Sequence, residues 1–453
     1  MPPPTPPPTP LAPPLAPRPR RQLWSRRAAT GLLAGLLLAV VGGCGRPQPR
    51  QKELQFWTLD LAPKFNDYIT GVIAAWERQH PGVKVRWTDV PWGSVERKLL
   101  AAVFARTAPD LVNLNPIFGA NLASKGGLLP LDPHLPAGAE RTYLPPIWAA
   151  GRNAEGQQMA IPWYLTARIS LANRALLRQA GYSAPPQRWQ DVPAFAEAVK
   201  RRTGRYALFV TAVPDDSAEL MESLVQMGVT LLDGRQRAAF NTAAGRRAFA
   251  FWSDLYRRGL LPREVVSQGY RRAVELYQGG DLAMLASGAE FLRSIQTNAP
   301  GIAASTAPYP PLTGPGGEAN VAVMNLAVTR QSALPAEAVS FALFLTNASN
   351  QLAFAEQARV LPSSAPALAQ LERQLAAEPS GTSEQRLVQQ ARLLSADTLG
   401  RARVLVPASP GIKRLQAILY TNLQRAMLGQ LSSDAALAAA AQEWDRYAAA
   451  RWP

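Results

Sequence analysis

Three short runs between residues 54 and 115 decide the fold: Leu54-Gln55-Phe56-Trp57-Thr58, Val83-Lys84-Val85-Arg86-Trp87 and Leu111-Val112-Asn113-Leu114-Asn115. Each is apolar or alternating, rich in aromatic and branched side chains, and bounded by turn residues, the pattern of a strand. Between the first two, Phe65 to Gln79 carries Phe65, Ile69, Val72, Ile73 and Trp76 on one helical face, and Pro81-Gly82 ends it. Between the second and third, Val95 to Ala105 reads as another amphipathic helix. A β-α-β-α-β order predicts a parallel sheet covered by helices. In such sheets ligands sit beyond the carboxyl ends of the strands. Those ends are Thr58 to Asp60, Val90 to Trp92 and Asn115-Pro116.

The totals bound the function. A chain of 453 residues with 47% hydrophobic content is long enough for two domains with sizeable cores. The net charge of +16 suits an anionic membrane surface or ligand, or is simply a generally basic surface. No basic run interleaved with aromatics follows Cys44, which argues against nucleic acid. One cysteine excludes an internal disulfide, and two histidines, His80 and His134, do not make a zinc cluster. The usual nucleophile-elbow, zincin, P-loop and dinucleotide signatures are missing, so neither an enzyme nor a bound cofactor is expected.

Residues 1–43 read as an address. A proline-rich start is followed by Arg18, Arg20, Arg21, Arg26 and Arg27, with no acid, and then by the apolar run Gly31 to Val41. That run is too short to span a bilayer and fits the apolar region of a signal peptide. Val41-Gly42-Gly43-Cys44 resembles a bacterial lipobox, in which small residues admit the peptidase and the cysteine is acylated. The expectation is a lipid-anchored protein on the periplasmic side of the plasma membrane, tethered through Cys44 and residues 44–52.

The body in order carries FWTLD, AAWERQHPGVKVRWTDVPW, TAPDLVNLN, Ile161-Pro162-Trp163-Tyr164, NRALLRQAGY, Pro185 to Val192, Gly279 to Phe291, Phe341 to Asn347 and Leu361-Pro362-Ser363. This ordered set resembles bacterial extracellular solute-binding proteins of the sugar-binding, maltodextrin-binding-like type, and in places their cyanobacterial members. The resemblance implies an α/β, two-lobed, periplasmic-binding-protein-like fold, each lobe a mostly parallel sheet flanked by helices, with the ligand cleft between. It places crossings near Pro162–Leu165, Met324–Leu326 and Arg359–Ser363. The first lobe is then 53–163 plus 325–362, and the second 164–324 plus 363–453. Helices are expected at about Glu384 to Leu394, Ile412 to Leu428 and Asp434 to Tyr447. The implied function is capture of a sugar or sugar-derived polyol by a monomer and delivery to the permease subunits of an ABC-type importer. An anionic solute such as a glycerophosphodiester is the alternative, and a periplasmic glycoside-acting enzyme a more distant one.

Sugar sites pair aromatic faces with carboxylates and amides, because a pyranose has an apolar face and a rim of hydroxyls. Trp163 and Tyr164, after Pro162, either line the cleft or pack at the hinge. Asp60 is a ligand carboxylate or a helix cap, Trp92 a ligand platform or lobe packing, and Asn115 a ligand amide or a turn former. Relatives often carry Gly-Pro-Trp within the segment that here reads Ser287-Gly288-Ala289-Glu290-Phe291. Glu290 then offers a carboxylate in place of the stacking ring and Phe291 a ring of its own, or the pair is a surface acid beside a core side chain. Asn325 is a further candidate at the return crossing, and Arg168 reads as a solvated strand residue or an aid to an anion.

Overall fold

Of the first three strands, the second alternates exposed side chains with buried or half-buried ones, while the third is buried at every position. In a computed structural model, which describes residues 51–453 except 154, 215, 378–380, 407, 408, 410 and 453, these strands are β1 (Lys52–Leu59), β2 (Val83–Val90) and β3 (Leu111–Leu114). β1 runs parallel to β2 from Lys52↔Val83 to Leu59↔Val90, and parallel to β3. Helices Asn66–Gln79 and Trp92–Phe104 make the crossovers. The address segment and Cys44 lie outside the described residues.

The remaining strands are β4 (Ile161–Ala167), β5 (Ile169–Asn173), β6 (Met284–Ser287), β7 (Thr306–Tyr309), β8 (Ala319–Val328), β9 (Leu361–Pro362) and β10 (Ala402–Arg403). They complete a first sheet ordered β2-β1-β3-β8-β4-β9, with β10 beside β8, and a second sheet ordered β6-β5-β7. The two-lobed α/β reading holds. Among the named strands, however, parallel pairing is confined to β1–β2, β1–β3 and β8–β10, while β8 runs antiparallel to β3 and β4, and β5 antiparallel to β6 and β7. The reason is topological: β8 re-enters the first sheet from the second lobe, so it runs against β3 and β4.

The crossings also move. The boundary expected between 163 and 164 falls inside β4, which stays in the first sheet to Ala167 and gives way to β5 after the single residue Arg168. The return, expected at Met324–Leu326, is complete by Ala319. Beyond Pro362 the chain remains on the first lobe: helix Ala365–Ala377 packs Ala367, Leu368 and Leu371 with Leu165, Val321 and Leu361. Helix Ser383–Leu399 then bridges, with Leu387 and Ala391 in the second core and Ala396 in the first-lobe cluster. Helices Ile412–Met427 and Ser433–Arg451 pack in the second-lobe core, the latter in the alanine-rich end whose composition favours a helix. A strand buried on both faces is apolar throughout, so composition does not mark where it changes sheets.

Each lobe has its own core. Phe56, Trp76, Trp163, Phe341 and Phe354 anchor the first; Phe249, Trp252, Tyr277, Tyr420 and Trp444 anchor the second. Near the crossing strands, Gln351 is buried and its Oε1 accepts from the backbone N–H of Ser363 (2.6 Å) and Ser364 (3.2 Å). Ser363 in turn donates its hydroxyl to the carbonyl of Pro162 at 2.6 Å. A leucine at position 351 would leave buried donors unpaired, at about 1–3 kcal/mol per group. Gln351→Leu is therefore expected to lower the unfolding free energy by that order, seen by circular dichroism as a lower urea midpoint with an unchanged slope.

Candidate functional site

The carboxyl ends of β1 and β2 are tied together by carboxylates that each bind the loop of the neighbouring strand. Asp89 accepts from the Thr58 hydroxyl (2.6 Å) and the Leu61 N–H (3.1 Å) through Oδ1, and from the Ala62 N–H (3.0 Å) through Oδ2. Asp60, exposed and in the left-handed region at φ 48°, accepts the Trp92 N–H through Oδ2 at 2.8 Å. That bond caps the helix from outside its own segment, so the helix begins at Trp92, three residues before the start expected from apolar spacing.

Trp92 is 41% exposed, and its ring centroid lies 6.4 Å from that of Phe118 at 56°. Phe118 rides on helix Pro116–Ala123, whose N-cap is Asn115: the Asn115 Oδ1 accepts the Phe118 N–H at 2.8 Å. Asn115, the residue after β3, and Asn325, which pairs with Leu114 across β3 and β8, both line a cavity of about 490 Å³. A second cavity, about 600 Å³, runs along the second lobe from Val225 to Asp233 and shares Gln236 with the first. Half-buried Tyr164 packs with Leu59, Val90, Val95 and Met324 beneath these ends, and burial, with Asp89 nearby, pushes its phenol well up.

Trp163 does not join this group. It is fully buried, stacked on Phe354 at 5.2 Å and close to Phe56. The β4–β8 register shifts between Pro162 and Tyr164, a bulge that turns Trp163 into the core.

Glu290 and Phe291 form part of a separate group on the second lobe, in the turn Ala289–Phe291 after β6. The Glu290 carboxylate folds back over Gly288, where a Cβ would lie 2.0 Å from its Oε2. Phe291 meets Tyr270 edge-on at 5.7 Å, and the Tyr270 hydroxyl donates to the Ala286 carbonyl at 3.0 Å. Arg168 stands beside them, not as a solvated strand residue but as an ion-pair partner. Its Nη1 lies 2.9 Å from Glu222 Oε2 and 4.0 Å from Glu219 Oε2, and its Nη2 donates to the Ser217 hydroxyl at 3.4 Å. Arg168, Glu219, Glu222 and Asn320 line a small recess of about 40 Å³ at the crossing. Glu219 and Glu222 occupy the first turn of helix Glu219–Gln226, where the helix dipole favours negative charge. Their one-turn spacing was the available sequence signal, but nothing local tied it to Arg168.

Burial pushes the Glu219 carboxyl up to about 7, opposed by Arg168 and reinforced by Glu222. Burial likewise raises Glu290 to about 7, opposed by a hydrogen bond to its own backbone and by Arg168. Carboxyls raised in the folded state hold protons that the unfolded chain has released, so stability falls as pH rises between the ordinary value of 4.5 and about 7. The melting temperature is expected to decline across that window, and Glu290→Gln to flatten the decline, in scanning calorimetry at constant ionic strength.

Comparison with known proteins places this geometry. Residues 62–352 match the family model of the bacterial extracellular solute-binding protein. A candidate oligosaccharide periplasmic-binding protein from Synechococcus sp. MITs9220, known from its crystal structure, is 67% identical; the match covers 88% of this chain and all of that one, with a TM-score of 0.84. The GacH receptor of Streptomyces glaucescens, solved unliganded and with acarbose, shares the fold at 22% identity and a TM-score of 0.70, over 87% of this chain and 98% of its own. The mannitol-binding protein of Pseudomonas aeruginosa is 25% identical over 215 residues, 46% of this chain and 49% of that protein. With its two lobes and the strand ends between them, the chain belongs to the bacterial extracellular solute-binding protein family.

Proposed function

We propose that the chain captures a sugar or sugar-derived polyol between its lobes, outside the cytoplasm, and delivers it to the permease of an ABC-type importer. The observation that carries this reading is the exposed Trp92 beside Phe118, with the Asp60 carboxylate and the Asn115 amide at the same strand ends. A ring face takes the apolar side of a sugar, and carboxylate and amide take its hydroxyls. The adjoining cavities are in the size range of sites for bound small molecules and suit a ligand longer than one ring. The similarity to the Synechococcus oligosaccharide-binding candidate and to the mannitol-binding protein supports the same class. Membership of a binding family makes the chain a receptor, with no catalytic step to assign.

On this reading the lobes close by bending where the chain passes between them, at Arg168, between Tyr309 and Ala319, and at helix Ser383–Leu399. Closure buries the solute and assembles a face from both lobes for the permease. An acylated Cys44 keeps the receptor at the membrane and raises its concentration near that partner. An anionic solute fits less well, because Glu219, Glu222 and Glu290 outnumber Arg168 beside the crossing.

Thermal-shift screening of maltotriose, trehalose, sucrose, glucosylglycerol and mannitol against glycerophosphoglycerol tests the proposal. A neutral member at 100 times its dissociation constant should stabilise by about 2.7 kcal/mol. Trp92→Ala should weaken that member about tenfold, or ~1.4 kcal/mol, while leaving the ligand-free melting temperature unchanged. Stabilisation by the phosphodiester alone would replace the sugar reading with the anionic one.

A further inference from the structure

Lys413 is placed against the interest of its own helix. It sits in the first turn of Ile412–Met427, with Arg414 beside it and no acid in that turn. A helix N-terminus carries partial positive charge, so cations there are unfavourable. The partners of Lys413 lie on the other lobe. Its Nζ pairs with Glu96 Oε2, from helix Trp92–Phe104, and lies over the Phe118 ring, 4.4 Å from its centroid. The second Glu96 oxygen accepts from Asn121 Nδ2 at 2.6 Å, so the carboxylate is aimed by its own lobe. Ile117, on the same first-lobe helix as Phe118, packs against the second-lobe core. Both members of the ion pair are largely shielded, with side chains 26% and 35% exposed. A cation thus docks in a first-lobe socket made of an oriented carboxylate and a ring face, beside an apolar interlobe contact.

We propose that Glu96 and Lys413 are a closure latch, positioning residues that set solute affinity through the balance between open and closed lobes. The effect on affinity rests on the receptor reading above; the lobe movement itself does not. A receptor that is only fractionally closed binds with its intrinsic affinity reduced by that fraction. Loss of a half-shielded ion pair and its cation–π contact should weaken solute binding by about three- to tenfold.

The test is electron–electron distance measurement between spin labels at Arg97→Cys on the first lobe and Arg235→Cys on the second, in the full chain carrying Cys44→Ser, with no solute added. The wild-type pair should show a short, narrow distribution. Glu96→Gln and Lys413→Met should broaden and lengthen it, while Lys413→Arg should restore it. High salt should lengthen the wild-type distance and leave Glu96→Gln unmoved. Urea denaturation of each variant separates opening from unfolding; if Lys413→Met unfolds, Glu96→Gln alone decides. The same distribution in the wild type and Glu96→Gln would overturn the latch. Because no sugar is present, that result is distinct from a failure of the solute screen.

Discussion

The guanidinium of Arg168 is 31% exposed, at a crossing one residue long, and a cation withdrawn from water there without partners would cost several kcal/mol. Glu222 and Glu219 supply the compensation from the first turn of a second-lobe helix, and Ser217 adds a hydroxyl. Ser217 is itself fixed: its carbonyl accepts from the Tyr420 hydroxyl at 2.6 Å and from Gln416 Nε2 at 2.9 Å. The chain therefore enters its second lobe at a point clamped to helices Glu219–Gln226 and Ile412–Met427. The same second helix carries Lys413 at its start, so hinge and latch are joined by one rigid element. Two acids against one base leave the cluster short of positive charge, which is why burial raises Glu219 rather than letting Arg168 hold it ionised.

The first-lobe half of the site follows a different economy. Asp60 and Asn115 each commit one oxygen to a helix start, Trp92 N–H and Phe118 N–H, and thereby position the residues that carry the Trp92–Phe118 ring pair. Asp89 and Thr58 fix the loop between, with the Trp87 indole donating to the Thr58 hydroxyl at 2.7 Å. What remains for a solute is one carboxylate oxygen, one amide NH₂ and the open face of Trp92. That mixture of acceptor, donor and ring suits a polyhydroxy molecule better than a single-sign ion.

The parts of the fold written locally were legible. The β-α-β-α-β frame rests on short apolar or alternating runs and on helical faces within a few residues, and the last helix on an alanine-rich stretch. The crossings were not legible, because β4 and β8 are apolar along most of their length whichever sheet they serve. Trp163 and Tyr164 were indistinguishable as a Trp-Tyr pair until the bulge sent one into the core and left the other half-buried under the strand ends. Asp60, Trp92 and Asn115 became candidates because strand ends are where ligands sit in such sheets. Arg168 with Glu222, and Glu96 with Lys413, were missed because 54 and 317 residues separate the partners.

The charge of the whole chain and the charge beside its crossing have opposite signs, and they bear on different partners. The +16 belongs to the complete sequence; without the five arginines of the address segment +11 remains, and it acts on an anionic membrane surface. At the crossing, three carboxyls surround one guanidinium, two of them raised to about 7. Exposed charge is screened within about a Debye length, whereas buried charge is not. A solute entering between the lobes therefore meets the local carboxyls rather than the basic exterior, and net charge is no guide to what is bound. The basic surface reads as a means of staying at the membrane, and the group beside the crossing as a local environment of its own.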